Sequence, residues 1–287
     1  MIQVDQLSFT YPGAKAPALS DLCFDVAPGE IFGFLGPSGA GKSTTQNILI
    51  GHLRGYAGTV EVLDKPLSRW SGDLYRQIGV SFEFPNHYLK LTARENLEYF
   101  RALFNGDAEP AMDALERVDL AADADKRVAE FSKGMKNRLN VARSLLHRPQ
   151  LWFLDEPTAG LDPVNARRIR ELIAERRTRG VTTVITTHDM TTADELCDRV
   201  AFIVDGRIAA IDAPSVLRRE YGRREVEVTW DGDGSGNAGA ARFDLDTLAD
   251  DEAFRRALRQ PGLATVHSLE ASLADVFVAV TGRRLGA

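Results

Sequence analysis

Three short apolar runs with helical periodicity between them make this an α/β chain built on a parallel sheet. Ile31-Phe32-Gly33-Phe34-Leu35, Leu151-Trp152-Phe153-Leu154 and Val181-Thr182-Thr183-Val184-Ile185 carry no charge, as strands buried on both faces require. The first run leads directly into a glycine-rich turn and a helix-forming stretch. A helix bridges the other two: Asp162 is a good N-cap and Pro163 suits the first turn, with Val164, Ile169, Leu172, Ile173 and Arg176 following at near-helical spacing. Buried strands separated by helices are the pattern of an α/β domain.

The remaining elements are read in chain order. Gln3 to Phe9 alternates in polarity, and Ala18 to Val26 repeats the alternation with Leu22, Phe24 and Val26 spaced by two. This predicts two antiparallel strands, an antiparallel β subdomain beside the parallel core. Between about residues 86 and 150 the buried strands give way to helical pattern, as at Thr92 to Leu103 and Ala111 to Leu120, which predicts an inserted helical subdomain. Past Pro214 the character changes again. A strand is expected at Val226 to Trp230, then a loop over the glycine-rich stretch 231–239, a helix near Glu252 to Arg259, a strand near Ala264 to Leu269 and a last helix near Leu273 to Val280. The expected organisation is a large domain over 1–213, with the helical subdomain at about 86–150, and a small α+β appendage over 214–287.

Composition narrows the function classes. The 287 residues are 44% hydrophobic and 26% charged, an ordinary globular mixture, and the net formal charge of −6 disfavours a nucleic-acid partner. The opening Met1-Ile2-Gln3-Val4-Asp5 does not read as a secretion signal, and no apolar run approaches the ~18 to 20 residues of a membrane-crossing helix. Cys23 and Cys197 are far apart and form neither a CxxC pair nor a metal cluster, so the expected compartment is a reducing cytoplasm.

The chemistry concentrates in a few motifs. Gly36-Pro37-Ser38-Gly39-Ala40-Gly41-Lys42-Ser43, followed by Thr44, fits the GxxxxGK[ST] pattern and lies between a buried strand and a helix, the context that its mechanism demands. Its glycines let successive N–H groups face phosphate oxygens, Lys42 reaches the β- and γ-phosphates and Ser43 serves Mg²⁺. Asp155 and Glu156 end a buried strand at the sheet edge where open α/β folds bind ligands. Asp155 is the candidate Mg²⁺ ligand, and Glu156 the candidate base for the water that attacks the γ-phosphate. Alone, the pair could simply close a strand, and His188, which ends the strand from Val181, would by itself read as structural or solvated.

Taken together, these motifs resemble the ATP-binding subunits of ABC transporters. Beside the phosphate loop and Leu-Trp-Phe-Leu-Asp-Glu-Pro stand Phe131-Ser132-Lys133-Gly134-Met135-Lys136, Ala159-Gly160-Leu161-Asp162 and Thr187-His188-Asp189, in the family's order and spacing over roughly residues 1–213. The resemblance implies a P-loop NTPase of the ABC type that uses ATP and Mg²⁺. It implies that Ser132 and Gly134 of the signature motif complete the ATP site of a second subunit, and that Asp162 belongs to the nucleotide-binding set. One loop and one signature per chain imply a dimer with two sandwiched nucleotides, and the competence of both sites in one chain favours a homodimer. Ser132 also suits a helix N-cap. By the same resemblance Tyr11 is the aromatic that stacks on adenine, contacts worth ~1 to 3 kcal/mol by analogy with base–aromatic stacking. Glu83 takes the position of a Gln that contacts Mg²⁺ and links the site to the membrane partner. Glu83 departs from the family pattern, and so do Phe131, Lys133 and Met135 in the signature.

The resemblance also implies a separate membrane-spanning permease that docks on the segment Phe84 to Phe104, and hence a peripheral position on the cytoplasmic face of the cell membrane. Phe84, Tyr88, Leu89, Leu91, Leu97, Tyr99, Phe100 and Leu103 lie there, and core packing is expected to claim at least half of them. The tail Ser268 to Phe277 and Phe-Ser-Lys-Gly-Met-Lys resemble ATPases of drug and antibiotic efflux systems, so the expected system is an exporter of drugs or other small hydrophobic compounds. An importer ATPase is the alternative. A soluble ABC-type ATPase acting on ribosomes or DNA fits less well, since the chain has neither fused cassettes, a long coiled coil, nor a broad basic surface.

Overall fold

All five positions of the first apolar run are buried, and the rest of the first folded unit is arranged around it. The computed structural model describes residues 1–104, 108–222, 224–231, 239–260 and 262–283. The chain divides into one compact unit over Met1–Ala213 and a second from Pro214 onward. The first unit runs β1 (Ile2–Phe9), β2 (Leu19–Val26), β3 (Ile31–Leu35), α1 (Lys42–Leu49), β4 (Ala57–Val62), β5 (Lys65–Pro66), α2 (Leu74–Gln77), β6 (Ile78–Ser81), α3 (Ala93–Arg101), α4 (Ala111–Arg117), α5 (Lys133–Leu145), β7 (Leu151–Asp155), α6 (Pro163–Thr178), β8 (Thr182–Thr187), α7 (Met190–Leu196), β9 (Arg199–Val204) and β10 (Arg207–Asp212).

The main sheet has the order β10-β9-β3-β8-β7-β6, parallel from β9 to β6 with β10 antiparallel at one edge. A four-stranded antiparallel sheet, β2-β1-β4-β5, lies beside it. Ile2, Val4, Leu22 and Phe24 share one buried cluster with Phe32, Phe34, Phe153 and Ile203 of the main sheet. Within that cluster Phe24 meets Phe34 edge-on, with ring centroids 5.1 Å apart, a favoured aromatic geometry. Strands β4, β6, β9 and β10 go beyond the sequence reading. β6 is only four residues long, and β4 is largely exposed at its start, so neither presents a long apolar run. The bridging helix also needs one correction. Val164 is 65% exposed, because it sits in the first turn of α6 before the buried face begins at Ala166.

The helical stretch between β6 and β7 starts from local signals. Thr92 and Glu95 form a reciprocal capping box for α3, and Ser132 accepts from the Met135 N–H to cap α5. Leu139, Ala142, Leu145 and Leu146 are buried along α5. The helix approaches β6 closely: a side chain at Gly79 would place its Cβ 2.2 Å from the Ser144 carbonyl oxygen, so only glycine fits. Polar contacts secure the same pair of elements. Asn140 donates to Ser81 Oγ at 2.9 Å and to the Phe82 carbonyl at 2.8 Å, and Arg143 donates to the Asn86 carbonyl at 2.7 Å.

The second unit contains α8 (Pro214–Tyr221), β11 (Glu225–Trp230), β12 (Gly239–Asp244), α9 (Glu252–Leu258), β13 (Leu263–Leu269) and α10 (Leu273–Thr281). Its sheet is antiparallel in the order β12-β11-β13. Val226 and Val228 form a small core with Ala257, against which Trp230, Phe243 and Phe254 pack. Ser272 and Asp275 form a capping box for α10. Strand β12 and helix α8 were not expected, and most of the predicted glycine-rich loop, residues 232–238, lies outside the described residues.

A buried histidine ties acid stability to this fold. His87 Nε2 lies 2.9 Å from the Lys136 carbonyl and donates to it, while the buried Nδ1 meets no partner among the described residues. Burial lowers its pKa from 6.5 to about 4, assisted by the nearby Arg143 and Lys136 charges and opposed by the bond to Lys136. The unfolded chain therefore binds a proton between pH 6.5 and 4 that the folded chain does not, so stability falls as pH drops through that window. His87→Gln is expected to reduce the loss of unfolding free energy between pH 7 and 5 by on the order of 1 to 2 kcal/mol, measured by urea titration at both pH values.

Candidate nucleotide site

Strand register builds the site. Leu35 of β3 pairs with Thr187 of β8, and Asp155 of β7 pairs with Thr186. The residues that follow these positions therefore emerge at the same edge of the sheet.

The phosphate loop leaves β3 under tight steric control. A Cβ at Gly36 would lie 2.1 Å from the Ile203 carbonyl oxygen, and Gly41 turns with φ 113° into α1, whose N-terminus has no side-chain cap. Free N–H groups at such an end favour an anion. The Ala40 N–H closes back on the Pro37 carbonyl at 3.2 Å. Ser38, Gly39 and Ser43 are exposed, whereas Lys42 is buried and donates from Nζ to the carbonyls of Gly36 at 2.6 Å and Pro37 at 3.0 Å. Burial lowers the Lys42 pKa, an effect partly offset by the charges of Glu156, Asp155 and Glu83. Tyr11 stands beside the loop. Its hydroxyl lies 3.1 Å from Thr44 Oγ1, and its ring meets Phe9 edge-on at 4.9 Å.

Each carboxylate is gripped by a threonine of β8. Asp155 accepts from Thr186 Oγ1 at 2.5 Å. Burial raises its pKa, with the Glu156 charge adding to the rise, while the Thr186 bond, Lys42 and the Glu83 N–H favour the charged form. Glu156 takes a left-handed backbone, φ 48°, and its N–H donates to the Thr186 carbonyl at 2.8 Å. Such a conformation in a non-glycine residue costs on the order of 1 to 3 kcal/mol and is held only by its surroundings. Three donors supply that hold: Thr187 Oγ1 to Oε2 at 2.9 Å, and the backbone N–H and Nδ1 of His188 to Oε1 at 3.0 and 2.6 Å.

Tyr11, the loop 36–44, Glu83, Asp155, Glu156 and His188 therefore converge. Ser132, Gly134 and Asp162 form a separate group where α5 and α6 begin. Asp162 caps α6 by accepting from the N–H groups of Val164 and Asn165 at 3.1 and 3.0 Å. Asn137 donates to the Ala159 carbonyl at 3.0 Å, and the Lys133 side chain lies along Gly160, where a Cβ would sit 3.3 Å from its Nζ. Among the described residues no side-chain hydrogen bond joins Ser132 or Asp162 to the phosphate loop. Thr186, Thr187 and the Lys133 contact were not picked out from sequence. The available signal was four threonines in β8, a strand buried at every position, where hydroxyls need partners.

On the segment Phe84 to Phe104 the expectation about core packing is overturned. Phe84, Tyr88, Leu89, Tyr99 and Leu103 are exposed, Phe84 by 76%, Leu91 and Phe100 are half-buried, and only Leu97 is fully buried. The short α3 has room for one buried stripe. Tyr88, Leu89, Lys90, Leu91 and Tyr99 line an apolar hollow of about 330 Å³.

A phosphate loop at the edge of a parallel sheet, with two carboxylates at the end of β7, one strand beyond β8, defines a P-loop ATPase. The family profile described as "ABC transporter" matches residues 19–159, and a second, described as "Fluoroquinolone efflux ABC transporter C-terminal domain", matches residues 224–270. The chain belongs to the ATP-binding proteins of ABC transporters. It is 55% identical over 285 residues to the Fluoroquinolones export ATP-binding protein of Mycobacterium tuberculosis, covering 99% of this chain and 94% of that one. It is 38% identical to the Nod factor export ATP-binding protein I of Rhizobium etli, again covering 99% and 94%. Among solved structures, an ATP-binding subunit of an ABC transporter superposes with TM-score 0.70 at 29% identity, over 77% of this chain and 93% of that one. A cassette solved as a post-hydrolysis dimer with ADP and phosphate superposes with TM-score 0.68 at 26% identity, over 74% and 98%.

Proposed function

We propose that this chain is the ATPase subunit of a drug exporter handling compounds of the fluoroquinolone type, working as an ATP-dependent homodimer on a separate permease at the cytoplasmic face of the membrane. The observation that carries the reading is the 55% identity to a fluoroquinolone-export ATPase across 99% of the chain, together with the match of residues 224–270 to the efflux-type C-terminal domain. No helix among the described residues is long and apolar enough to cross a membrane. The exposed aromatic and aliphatic residues from Phe84 to Leu103 and the hollow beside Tyr88 and Tyr99 supply an apolar seat for the permease.

In this reading the backbone of residues 36–43 cradles the phosphates, Lys42 exchanges its loop carbonyls for β- and γ-phosphate oxygens, and Tyr11 stacks on adenine. Ser43, Asp155 and Glu83 offer hard oxygen donors, with the Glu83 N–H bonded to Asp155, a set that would suit Mg²⁺. When bound, Mg²⁺ neutralises charge on the phosphates. Glu156 orients and deprotonates the attacking water, and His188 keeps the Glu156 carboxylate turned toward it. Ser132, Gly134 and Asp162 meet the nucleotide of the second subunit.

The test of the whole reading is affinity purification of the tagged chain from mildly solubilised membranes with a high-salt wash. A multi-spanning polypeptide is expected to co-purify, whereas a free chain, or one bound to ribosomes, sinks the transporter assignment. Glu156→Gln is expected to lower steady-state turnover by ~10² or more and to leave ATP affinity within a few-fold, measured by phosphate release and by nucleotide titration. Glu83→Gln removes one of three negative charges around Lys42. It is expected to tighten Mg·ATP binding several-fold, read by calorimetry, and an unchanged Kd would separate Glu83 from the phosphates.

A further inference from the structure

We propose that Thr187 is a positioning residue for hydrolysis, holding the Glu156 carboxylate in a single orientation through a closed hydrogen-bonded ring that includes Asp189, Thr192 and Thr158. The inference rests on the assignment of Glu156 as the base and assigns a task to residues outside it.

The direction of the hydrogen bonds makes the case. Thr187 Oγ1 accepts the N–H of Asp189 at 3.0 Å and lies 2.9 Å from Glu156 Oε2. An amide nitrogen has only its one proton to give, so the single proton of the Thr187 hydroxyl is left for the carboxylate, which can only accept when ionised. The next link is equally directional. Thr192 Oγ1 donates to Asp189 Oδ2 at 2.6 Å, while Asp189 Oδ1 accepts the Thr191 N–H at 3.0 Å, so both Asp189 oxygens are engaged. Thr192 Oγ1 also lies 3.4 Å from Thr158 Oγ1. Thr158 is two residues beyond Glu156, so the path that leaves the carboxylate through Thr187 returns to the backbone that carries it.

Burial separates this grip from the one supplied by His188. Thr187 and Thr192 are fully inaccessible to solvent, whereas 64% of the His188 side chain is exposed. A fully buried hydroxyl has no water to compete with it and is already tied to the Asp189 N–H, so Oε2 has the better-fixed partner. A base must be held to within about half an ångström to be effective, and the left-handed backbone of Glu156 gives its side chain no regular strand neighbours to lean on.

The test compares Thr187→Val, which keeps the shape and loses the hydroxyl, with Thr187→Ser, which keeps the hydroxyl, and runs Glu156→Gln in parallel on the full chain. Turnover, ATP affinity from a fluorescent analogue and thermal midpoint are read for each. Thr187→Val is expected to lower kcat ~10- to 100-fold with Kd and KM within about threefold, and Thr187→Ser to recover most of the rate. Full turnover by Thr187→Val beside an inactive Glu156→Gln overturns the inference and leaves the base assignment standing. Full turnover by Glu156→Gln overturns both. Should Thr187→Val fail to fold, Thr192→Val decides: a lower kcat at unchanged Kd supports the ring, and an unchanged kcat refutes it.

Discussion

The parallel pairing of β8 with β3 on one side and β7 on the other is the constraint on which the rest of this molecule depends. It sets Leu35, Asp155 and Thr187 at one sheet edge, and from there the phosphate loop, the carboxylate pair and His188 leave together. A one-residue slip of β8 would exchange the faces of all its side chains. Thr186 and Thr187 could then no longer address Asp155 and Glu156. Burial at every position of β3 and β8 makes such a slip costly, since no face is left polar enough to take up the change.

That edge collects opposing charges in a space with little water. Lys42 and Asp155 are each pushed toward their neutral forms by burial, and each is pulled back by the other. The balance is achieved with donors in place of bulk solvent: Thr186 for Asp155, and Thr187 and His188 for Glu156. The Glu83 charge acts on Lys42 as well and favours its charged form.

Helix α5 connects this edge to the outer parts of the first unit. At its start Asn137 reaches the Ala159 carbonyl, in the turn that follows Glu156. Farther along, Asn140 and Arg143 hold Ser81, Phe82 and Asn86, on either side of Glu83. The exposed apolar residues from Phe84 to Leu103 follow directly in the chain. Hydrogen bonds between packed elements thus tie the start of that segment to α5.

Much of this architecture was legible in the chain itself, and the legible parts share a physical cause. Strands buried on both faces keep charge out of their interior, which exposes β3, β7 and β8. Helix starts need side-chain acceptors, which marks Ser132 and Asp162. A phosphate loop needs glycine, lysine and serine at set positions, because backbone N–H groups have to face an anion. Short or half-exposed elements such as β4, β6 and β12 carry no such obligation and left no mark, and the same freedom hid how little of the segment after Glu83 is core. The partners of Glu156 were decided only in three dimensions. Thr187 lies 31 residues away in the chain, and a hydrogen bond across that distance exists only once β7 and β8 have paired, in a register that no local pattern encodes.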